Sequence, residues 1–342
     1  MKHLVTGGSG FLGSLIAKRL HAQGETVRIL DIWDDPQRPK GIEFINCDIR
    51  NRAGVLAAMQ GVDMVHHNVA LVPLTKSGEK FWDVNVNGSR IAAECAVEAR
   101  VNYFVHMSSS AIFGLPKKCP IDNNTPTEPI EIYGRGKLAG EQTVREICDR
   151  AGLPLVVIRP RTILGEGRLG IFQILFEWIE ESRGVYVIGD GNIQFQFIHA
   201  HDLMDAYMLV INHGRHGAYN VGTDRFSTLR SDMEKLFRHA GSRSTVRSLP
   251  VGPTIGTLGL LDKLGLCPLA PWHYLTYHKD FHFDITPLQE LGWKPKYSNE
   301  EMFCESYDWF QANRNRAPSA EGGSPHRKPV REKILWLLKK LS

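Results

Sequence analysis

Short apolar runs alternate with longer stretches of helical periodicity over the first half of the chain. The apolar runs predict strands at Lys2–Thr6, Thr26–Asp31, Ile42–Cys47, Met64–His67, Tyr103–Met107 and Leu155–Ile158. Between them, apolar residues spaced three and four apart predict helices near 11–23, 52–60, 81–100 and 133–151. This alternation is typical of parallel strands covered by helices on both faces. We therefore predict an α/β fold, a Rossmann-type doubly wound parallel sheet.

The hydrophobic pattern loosens after Gly165. It predicts helices near 170–182, 202–212 and 228–240, and a strand at Val185–Ile188. The Pro- and Gly-rich run 249–271 predicts irregular structure. We divide the chain accordingly into a Rossmann-type domain at 1–165 and a smaller, mixed lobe at 166–316 that we expect to cover the substrate, with some of the lobe's strands returning to the sheet.

The C-terminal tail differs from the rest of the chain. Residues 317–329 are rich in Pro, Gly and Ser and predict a linker. Residues 330–342 place apolar side chains on one helical face and basic side chains on most of the rest, which predicts a basic amphipathic helix. Such a helix favours peripheral contact with a membrane surface. The alternative is a helix that docks on the body of the protein or on a partner subunit.

Composition and charge narrow the class of protein. The chain has 342 residues, of which 42% are hydrophobic, and no apolar run reaches the roughly 18 residues that span a bilayer. Met1 and Lys2 lead directly into the first strand, so we expect a cytoplasmic protein, membrane-associated at most through its tail. The whole net charge of +4 is matched by six basic and two acidic residues within 317–342. The body is therefore neutral, and we predict no nucleic-acid partner. The six cysteines form no C-x-x-C pair, and we predict no metal site.

A glycine-rich turn follows the first predicted strand and precedes the first predicted helix. Gly7 permits a tight turn, Gly10 lets the backbone approach a pyrophosphate, and Gly13 lets the helix pack closely. The free N–H groups at the start of the helix, at Phe11 and Leu12, would face the negative charge. Strand, glycine turn and helix in this order predict a dinucleotide site.

The second strand ends in Asp31, 18 residues beyond Gly13. A carboxylate there can accept hydrogen bonds from the adenosine ribose and would repel a 2′-phosphate, so NAD is favoured over NADP. Arg28 and Arg38 lie nearby in sequence and would favour NADP if they reached that phosphate.

Tyr133 and Lys137 are four residues apart on a predicted helix and share one face. A lysine ammonium close to the phenol would lower a tyrosine pKa that is about 10 in the free amino acid. Downstream of a dinucleotide turn, the pair predicts an acid/base centre of a redox enzyme. Taken alone, the same spacing also occurs on ordinary surface helices.

A series of motifs along residues 1–310 carries a family resemblance. In order they are T-G-G-S-G-F-L-G at 6–13, Asp31, C-D-I-R at 47–50, H-N-V-A at 67–70, N-V-N-G at 85–88, S-S-S-A-I-F-G at 108–114, Y-G-R-G-K at 133–137, R-P at 159–160, G-D-G at 189–191, F-I-H-A-H-D at 197–202, Y-N-V-G at 219–222 and F-D with L-G-W within 283–293. The sequence resembles an extended short-chain dehydrogenase/reductase of the NAD-dependent epimerase/dehydratase family, in a 3β-hydroxysteroid dehydrogenase-like or a sugar epimerase-like branch.

The resemblance implies roles for individual residues. Ser109 would orient the substrate oxygen, Tyr133 would exchange the alcohol proton, and Lys137 would hold the nicotinamide ribose. Further cofactor contacts are implied for Asp48, Ile49, Val69, Ala70, Asn85 and Ile163. Many members of this family pair through two long helices, so a homodimer through 81–100 and 133–151 is also implied.

Some positions depart from the family pattern. Ser110 and Ala111 stand where sugar dehydratases carry an Asp-Glu pair, which disfavours dehydration. Thr162 and Phe195 stand where nucleotide-sugar enzymes tend to carry an Asn and an Arg. Losing a charge-assisted contact to a diphosphate costs roughly 1.5 to 3 kcal/mol. A UDP-sugar would be held less well unless one of three other arginines substitutes: Arg161, Arg168 or Arg225.

Three functions remain open. The first is NAD-dependent hydride transfer at a secondary alcohol or ketone of an apolar or glycosyl substrate, with apolar segments 258–261 and 271–275 as a possible pocket lining. The second is 4-epimerisation of a nucleotide sugar with retained NAD. The third is a non-catalytic NAD-binding sensor, which the intact catalytic trio disfavours.

Overall fold

A seven-stranded parallel sheet forms the centre of the protein. The computed structural model describes residues 1–71, 79–168, 172–214, 216–264, 267, 269 and 271–314. The strand order across the sheet is β10-β6-β5-β4-β1-β2-β3. The eleven strands of the described residues are β1 Lys2–Thr6, β2 Thr26–Asp31, β3 Glu43–Asn46, β4 Met64–His67, β5 Tyr103–Met107, β6 Leu155–Pro160, β7 Thr162–Leu164, β8 Val185–Ile188, β9 Phe197–His199, β10 Gly217–Val221 and β11 Val246–Leu249. The predicted Rossmann-type sheet is thus confirmed.

Helices cover both faces of the sheet and build the lobe. Those of the described residues are α1 Phe11–Ala22, α2 Arg52–Ala58, α3 Glu79–Trp82, α4 Gly88–Glu98, α5 Ile132–Ala151, α6 Phe172–Glu180, α7 Ala200–Asn212, α8 Leu229–His239, α9 Val251–Lys263, α10 Pro271–Thr276, α11 Thr286–Glu290 and α12 Asn299–Asn313. The helix predicted over 81–100 is interrupted, because a π-helical turn at Asp83–Asn87 separates α3 from α4. None of the described helices is long and apolar enough to cross a membrane.

The chain reverses direction across the sheet at β1. Strand β1 pairs with β2 on one side and β4 on the other, so that Thr6 lies beside both Leu30 and His67. In an open parallel sheet, the crevice at the carboxyl ends of the strands forms where the order reverses. The glycine turn after Thr6 therefore lies at the point where this fold class binds its ligands.

The core is divided by the sheet into two apolar layers. Successive residues of a strand point to opposite faces, and buried Leu4 and Val5 accordingly belong to different clusters. Helices α2, α4 and α5 cover the layer that contains Leu4, while α1, α7 and the lobe cover the layer that contains Val5. Because both faces are buried, the central strands are mostly apolar, which is why the pattern predicts them well.

The lobe uses two small parallel pairs and an aromatic cluster. Strand β7 pairs with β9, and β8 pairs with β11. Phe172, Phe197 and Phe303 make edge-to-face contacts with ring centroids 5.0–5.7 Å apart. Strand β10 leaves the lobe and pairs with β6 at the edge of the central sheet.

The prediction of irregular structure over 249–271 is wrong. Helix α9 occupies Val251–Lys263, and α10 begins at Pro271. Pro253 lies in the first turn of α9, where an N–H group has no partner within the helix and its loss is tolerated. The glycines of α9 each cost about 1 kcal/mol relative to alanine, which weakens a helix without ending it. The predicted linker 317–329 and tail helix 330–342 lie outside the described residues.

Candidate active site

The glycine turn has the close contacts that its role requires. Gly7 has a φ of 69°, and its N–H donates to the carbonyl of Leu30 at 2.8 Å. A Cβ atom on Gly7 would lie 3.0 Å from the backbone nitrogen of Val69, and one on Gly13 would lie 2.1 Å from the Gly7 carbonyl oxygen. Gly10 precedes α1, and no side chain caps the first turn of that helix. The turn thus presents a bare helix N-terminus, which suits a pyrophosphate.

Asp31 ends β2 beside this turn. One carboxylate oxygen accepts the N–H of Ser9 at 3.0 Å and the other accepts the N–H of Ile32 at 2.7 Å. Burial raises the pKa of Asp31, and these backbone hydrogen bonds oppose that rise. The carboxylate is therefore fixed next to the glycine turn, at the position predicted for the ribose acceptor.

The two arginines that would have favoured NADP are bound to other groups. Arg28 Nε donates to Glu43 at 2.8 Å, and another of its nitrogens donates to the Ala58 carbonyl. Arg38 Nε donates to Asp34 at 2.8 Å. Their engagement supports the preference for NAD that Asp31 indicates.

Asp48 and Ile49 follow β3 at the same edge of the sheet. Arg50 donates to Asp48 at 2.6 Å and to Asp83 at 2.9 Å, and it holds the pKa of Asp48 below its usual range. Ile49 is buried against α4, where a Cβ atom on Gly88 would lie 2.7 Å from its Cγ2. The Arg50 contacts tie the loop that carries both residues to the π-helical turn.

Asn85 supports the loop after β4. Its Oδ1 accepts the N–H of Leu71 at 2.7 Å, and its Nδ2 donates to the Leu71 carbonyl at 3.1 Å. Leu71 directly follows Val69 and Ala70, which are half-buried beside the glycine turn. Helix α5 passes close by, because a Cβ atom on Gly140 would lie 2.6 Å from the Asn85 carbonyl oxygen. The amide of Asn85 thereby fixes the loop expected to contact the dinucleotide.

The Ser109 hydroxyl lies close enough to the Tyr133 phenol to lower its pKa, against the rise caused by burial. Tyr133 lies in the first turn of α5, where the carboxylate of Glu131 accepts the N–H groups of Tyr133 and Gly134, each at 2.6 Å. Ser109 follows β5, and its Oγ accepts the N–H of Ala111 at 3.2 Å. The capped helix end and the short turn after β5 place the phenol and the hydroxyl together, so that both can reach one substrate oxygen.

Lys137 does not have the predicted effect on the pKa of Tyr133. It is 5% exposed, and its Nζ donates to the carbonyl of Met107 on β5. Burial lowers the pKa of Lys137 to about 8, while nearby Glu141 raises it. The expected lowering of the Tyr133 pKa is not seen: burial raises that pKa, and the cation that opposes the rise belongs to Arg168. The β5 carbonyl holds the lysine ammonium, so a different cation acts on the phenol.

Arg168 is delivered to this site by a glycine turn. Gly165 and Gly167 have φ values of 141° and 73°, which only glycine adopts readily. The Arg168 guanidinium lies 5.1 Å from the ring centroid of Phe11, the first residue of α1. Burial lowers the pKa of Arg168 to about 10, and the phenol of Tyr133 raises it. The sequence suggested Arg168 as a diphosphate contact, and the structure brings it to both the glycine turn and Tyr133.

The two positions where dehydratases carry an Asp-Glu pair are buried in this protein. Ser110 and Ala111, in the turn after Ser109, are each 3% exposed. Ile163 lies on β7 and is 7% exposed. No carboxylate therefore occupies the two places from which dehydratases draw their acid and base.

Nucleotide-sugar enzymes hold the diphosphate with residues that this chain lacks at positions 162 and 195. Those two positions and the three arginines considered as replacements lie in different surroundings. Phe195 is fully buried and stacks on Tyr277 with centroids 4.3 Å apart, and Tyr277 in turn contacts Thr162. Arg225 pairs with Glu301 at 3.1 Å on the surface. Of the three arginines considered, Arg168 alone lies near Tyr133, while Arg161 is enclosed by aromatic rings. Segment 271–275 packs in the core through Trp272 and Tyr274, whereas α9, which holds 258–261, has no buried residue.

Sequence reasoning missed an ion pair that supports the catalytic helix. Glu141 on α5 accepts from Arg159 on β6, with Nε at 3.1 Å, and both side chains are buried. This partner lowers the pKa of Glu141 against the effect of burial. Glu141 lies one turn after Lys137, and Arg159 belongs to the R-P motif. The spacing of Lys137 and Glu141 by four residues was the available signal, because it places both on the sheet-facing side of α5.

A family model and known proteins match this chain. The model described as the NAD dependent epimerase/dehydratase family matches residues 3–222. An uncharacterised protein of Sinorhizobium fredii is 43% identical over 98% of this chain and 85% of its own length. A putative UDP-glucose 4-epimerase of Methanocaldococcus jannaschii is 27% identical over 91% of this chain and 98% of its own length. The crystal structure of the Thermus thermophilus UDP-glucose 4-epimerase in complex with NAD has a TM-score of 0.73 at 24% identity, covering 93% of this chain and all of that one.

The sheet order, the glycine turn and the Tyr133–Ser109 pair are the features of an NAD-dependent Rossmann-fold enzyme. The protein belongs to the NAD-dependent epimerase/dehydratase family of extended short-chain dehydrogenases/reductases.

Proposed function

We propose that the protein transfers a hydride between NAD and a secondary alcohol or ketone of an apolar or glycosyl substrate. The observation that carries this proposal is the proximity of the Tyr133 phenol, in the first turn of α5, and the Ser109 hydroxyl, just after β5, at the carboxyl edge of the sheet. A phenol and a hydroxyl that meet one substrate oxygen serve proton transfer at that oxygen. Removal or addition of a hydride at the adjoining carbon is the reaction that needs such a proton transfer.

The residues of the crevice fit NAD. The glycine turn leaves no room for side chains, the first turn of α1 is uncapped, and the Asp31 carboxylate lies beside the turn, where it would accept from the adenosine ribose. When bound, NAD supplies the acceptor or donor of the hydride. The residues that would hold it are Gly7, Gly10, Phe11, Leu12, Gly13, Asp31, Asp48, Ile49, Val69, Ala70, Lys137 and Ile163, with Asn85 fixing the loop of Val69 and Ala70.

The catalytic roles follow from the positions of three side chains. Tyr133 takes the proton of the substrate hydroxyl during oxidation and returns it during reduction. Ser109 donates to the same substrate oxygen as negative charge develops there. Lys137, buried beneath the site, would hold the ribose hydroxyls of the bound cofactor. Arg168 opposes the effect of burial on the phenol and so favours its ionisation.

Variants of Tyr133 and Ser109 test this function. Tyr133→Phe removes the exchangeable proton and should lower kcat at least ~10²-fold with NAD affinity nearly unchanged. Ser109→Ala should lower kcat less, because water partly replaces its hydrogen bond. Tyr186→Phe, on β8 in the lobe, is the matched control. Normal turnover in Tyr133→Phe would refute the assignment, and NAD binding without turnover on any alcohol or ketone would leave the non-catalytic sensor.

Nucleotide-sugar 4-epimerisation is the second candidate. It is supported by the name of the relative from Methanocaldococcus jannaschii, which matches over nearly its whole length. An epimerase must return the hydride to the opposite face of the same intermediate, so it retains its cofactor. Denaturing the purified protein and identifying the released nucleotide separates the candidates. Stoichiometric NAD favours the epimerase, and an empty site favours the dehydrogenase.

We also propose that the protein is a homodimer that contacts membranes through its tail. Two apolar side chains of the segments expected to pair are exposed: Trp82 at the end of α3 by 47% and Ile132 at the start of α5 by 53%. Burial of both against a second copy would remove this apolar surface from water. Leu260 of α9 and Leu264, which directly follows the helix, are 60% and 62% exposed and offer apolar surface for a bilayer in addition to the basic tail.

A further inference from the structure

Arg161 is the largest of the fully buried side chains in the described residues. It lies between β6 and β7, and it is 1% exposed. Its guanidinium carbon lies 4.0 Å from the ring centroid of Phe281 and 4.7 Å from that of Phe195. Stacking on aromatic faces is a contact that arginine makes well and lysine makes less well.

The positive charge of Arg161 has no carboxylate partner among the described residues. Its Nη2 has no hydrogen-bond acceptor there, and burial lowers its pKa to about 9. A buried charge without a counter-ion is unfavourable for folding, and an apolar side chain of similar size is often as stable or more stable. A requirement of folding therefore does not explain an arginine at this position.

The hydrogen bonds of Arg161 connect the catalytic turn to the lobe. Nη1 donates to Ser110 Oγ at 3.1 Å, and Nε donates to the Gln196 carbonyl at 3.0 Å. The Gln196 side chain donates to the Thr223 carbonyl at 2.6 Å and accepts the N–H of Phe283 at 2.9 Å. Ser110 directly follows Ser109. The guanidinium is thus a rigid bridge from the lobe to the residue next to the substrate-orienting hydroxyl.

We propose that Arg161 is a positioning residue, which acts through Ser110 to hold the Ser109 hydroxyl against Tyr133. The inference rests on the proposed function, because it assigns Arg161 to the same Tyr133–Ser109 pair. It also gives Ser110 a role: where dehydratases carry an acid, this chain has a hydroxyl that accepts from arginine. The lobe fixes the geometry of the pair through this bridge.

Two variants cut the bridge from opposite ends. Arg161→Met keeps the approximate volume and removes the donor, and Ser110→Ala removes the acceptor. We expect each to lower kcat about 10- to 100-fold with KM changed less than about threefold, because a misplaced group near the reaction affects the rate more than binding. The double variant should be no slower than the slower single variant, since both changes break one connection. Arg183→Met, an exposed arginine of the lobe, is the control.

A second readout does not depend on turnover. The Ser109 hydrogen bond lowers the pKa of Tyr133. Loosening that bond should move the phenol titration to higher pH in Arg161→Met and Ser110→Ala, measured by ultraviolet difference spectra with Tyr133→Phe as the blank. The pH profile of kcat should move the same way. Arg161→Lys keeps the charge but not the fork of donors, and it should resemble Arg161→Met in both measurements.

The results of these measurements distinguish a positioning role of Arg161 from a role in stability alone. Wild-type kcat and an unchanged Tyr133 titration in Arg161→Met would overturn the proposal. So would a loss of activity that only follows a lower Tm, since that is a role in stability alone. If Arg161→Met does not fold, Ser110→Ala and Arg161→Lys give the same test. A shifted titration in a protein that turns over no alcohol or ketone would support Arg161 and refute the proposed function.

Discussion

The cofactor half and the lobe place their functional groups by different means. In the cofactor half, backbone N–H groups fix them: those of Ser9 and Ile32 hold the Asp31 carboxylate, and those of Tyr133 and Gly134 hold the Glu131 carboxylate at the start of α5. Where the lobe meets the sheet, aromatic rings and the buried guanidinium of Arg161 do so across long distances in sequence. Local chemistry sets the first arrangement, and tertiary packing sets the second. The first is therefore visible in the sequence and the second is not.

The largest difference between the two regions is expected from glycine substitutions, measured as a loss of NAD affinity. An alanine Cβ at Gly13 would lie 2.1 Å from the Gly7 carbonyl oxygen, so the turn or the start of α1 must shift. We expect Gly13→Ala to weaken NAD binding more than ~100-fold, because the turn and the helix N-terminus together form the phosphate site. Isothermal titration with NAD measures this loss.

Gly256→Ala in α9 is the matched control. No atom lies within 4 Å of a Cβ atom at Gly256, and the helix is exposed. Alanine should therefore raise the free energy of unfolding by about 0.5–1 kcal/mol without affecting NAD. NAD affinity in Gly13→Ala equal to that of Gly256→Ala would show that the turn does not bind the cofactor.

The features that could be predicted from the sequence lie mostly in the cofactor half. Strands β4, β5 and β8 lie at their predicted residues, because buried strands give continuous apolar runs. The glycine turn, Asp31 and Tyr133 lie together because the carboxyl ends of β1, β2 and β5 meet at one edge of the sheet. The relative positions of these residues can therefore be predicted, because they depend only on the parallel strand order and on short turns.

The remaining features depend on contacts that no local pattern contains. Lys137 shares a helical face with Tyr133, but the Met107 carbonyl holds its ammonium and Arg168 acts on the phenol instead. Helix α9 is rich in glycine and buries no residue, so neither propensity nor periodicity indicates it. The environment of Arg161 needs Phe195 and Phe281, which are distant in sequence.

Acid should cause the second largest effect, a loss of folding stability that arises from buried histidines of the cofactor half. His66, His67 and His106 are at most 2% exposed on β4 and β5, and burial lowers the pKa of each, that of His67 to about 3. They stay neutral when folded but bind protons when unfolded below about pH 6.5. Stability is therefore present above pH 6.5 and lost below it, by about 1 kcal/mol for each histidine between about pH 6.5 and 5.5. Urea unfolding at a series of pH values measures the loss.

His106→Leu tests whether these histidines cause the loss. Neither ring nitrogen of His106 has a hydrogen-bond partner among the described residues, so leucine removes a titrating group without breaking a bond. We expect the stability of this variant to fall less steeply with acid, by about a third of the three-histidine effect. A slope equal to that of the wild type would assign the acid sensitivity to other groups.

Variants of Asp31 should have a smaller effect, confined to the cofactor. Asp31→Ala removes a ribose acceptor and the repulsion of a 2′-phosphate, so NAD affinity should fall about 10-fold and discrimination against NADP should relax. Asp31→Asn keeps an acceptor but not the charge. It should bind NAD better than the alanine variant and still admit NADP. Fluorescence titration with both cofactors tests this, and tighter wild-type binding of NADP than NAD would contradict the assignment.

The smallest effect on the folded body is expected from removing the tail. If residues 330–342 bind an anionic membrane, each clustered cation contributes up to about 1 kcal/mol near the surface, and salt should weaken the binding. Deleting 318–342 should leave NAD affinity and Tm nearly unchanged, because the described body ends with α12 at Asn313 and makes its own core. Flotation with anionic vesicles measures membrane binding of both forms.

A comparison of the tail with α9 sharpens that experiment. Leu260 and Leu264 are exposed on the lobe, and Leu260→Ser with Leu264→Ser removes apolar surface without touching the site. If the tail binds by charge and α9 by insertion, the tail deletion should abolish the salt-sensitive part of the recovery, and the double serine variant should reduce the part that persists at high salt. Equal recovery of the full chain and the deletion form at every salt concentration would refute the tail as an anchor. It would leave the lobe, and not the tail, as the region to examine for contact with a lipid-like substrate.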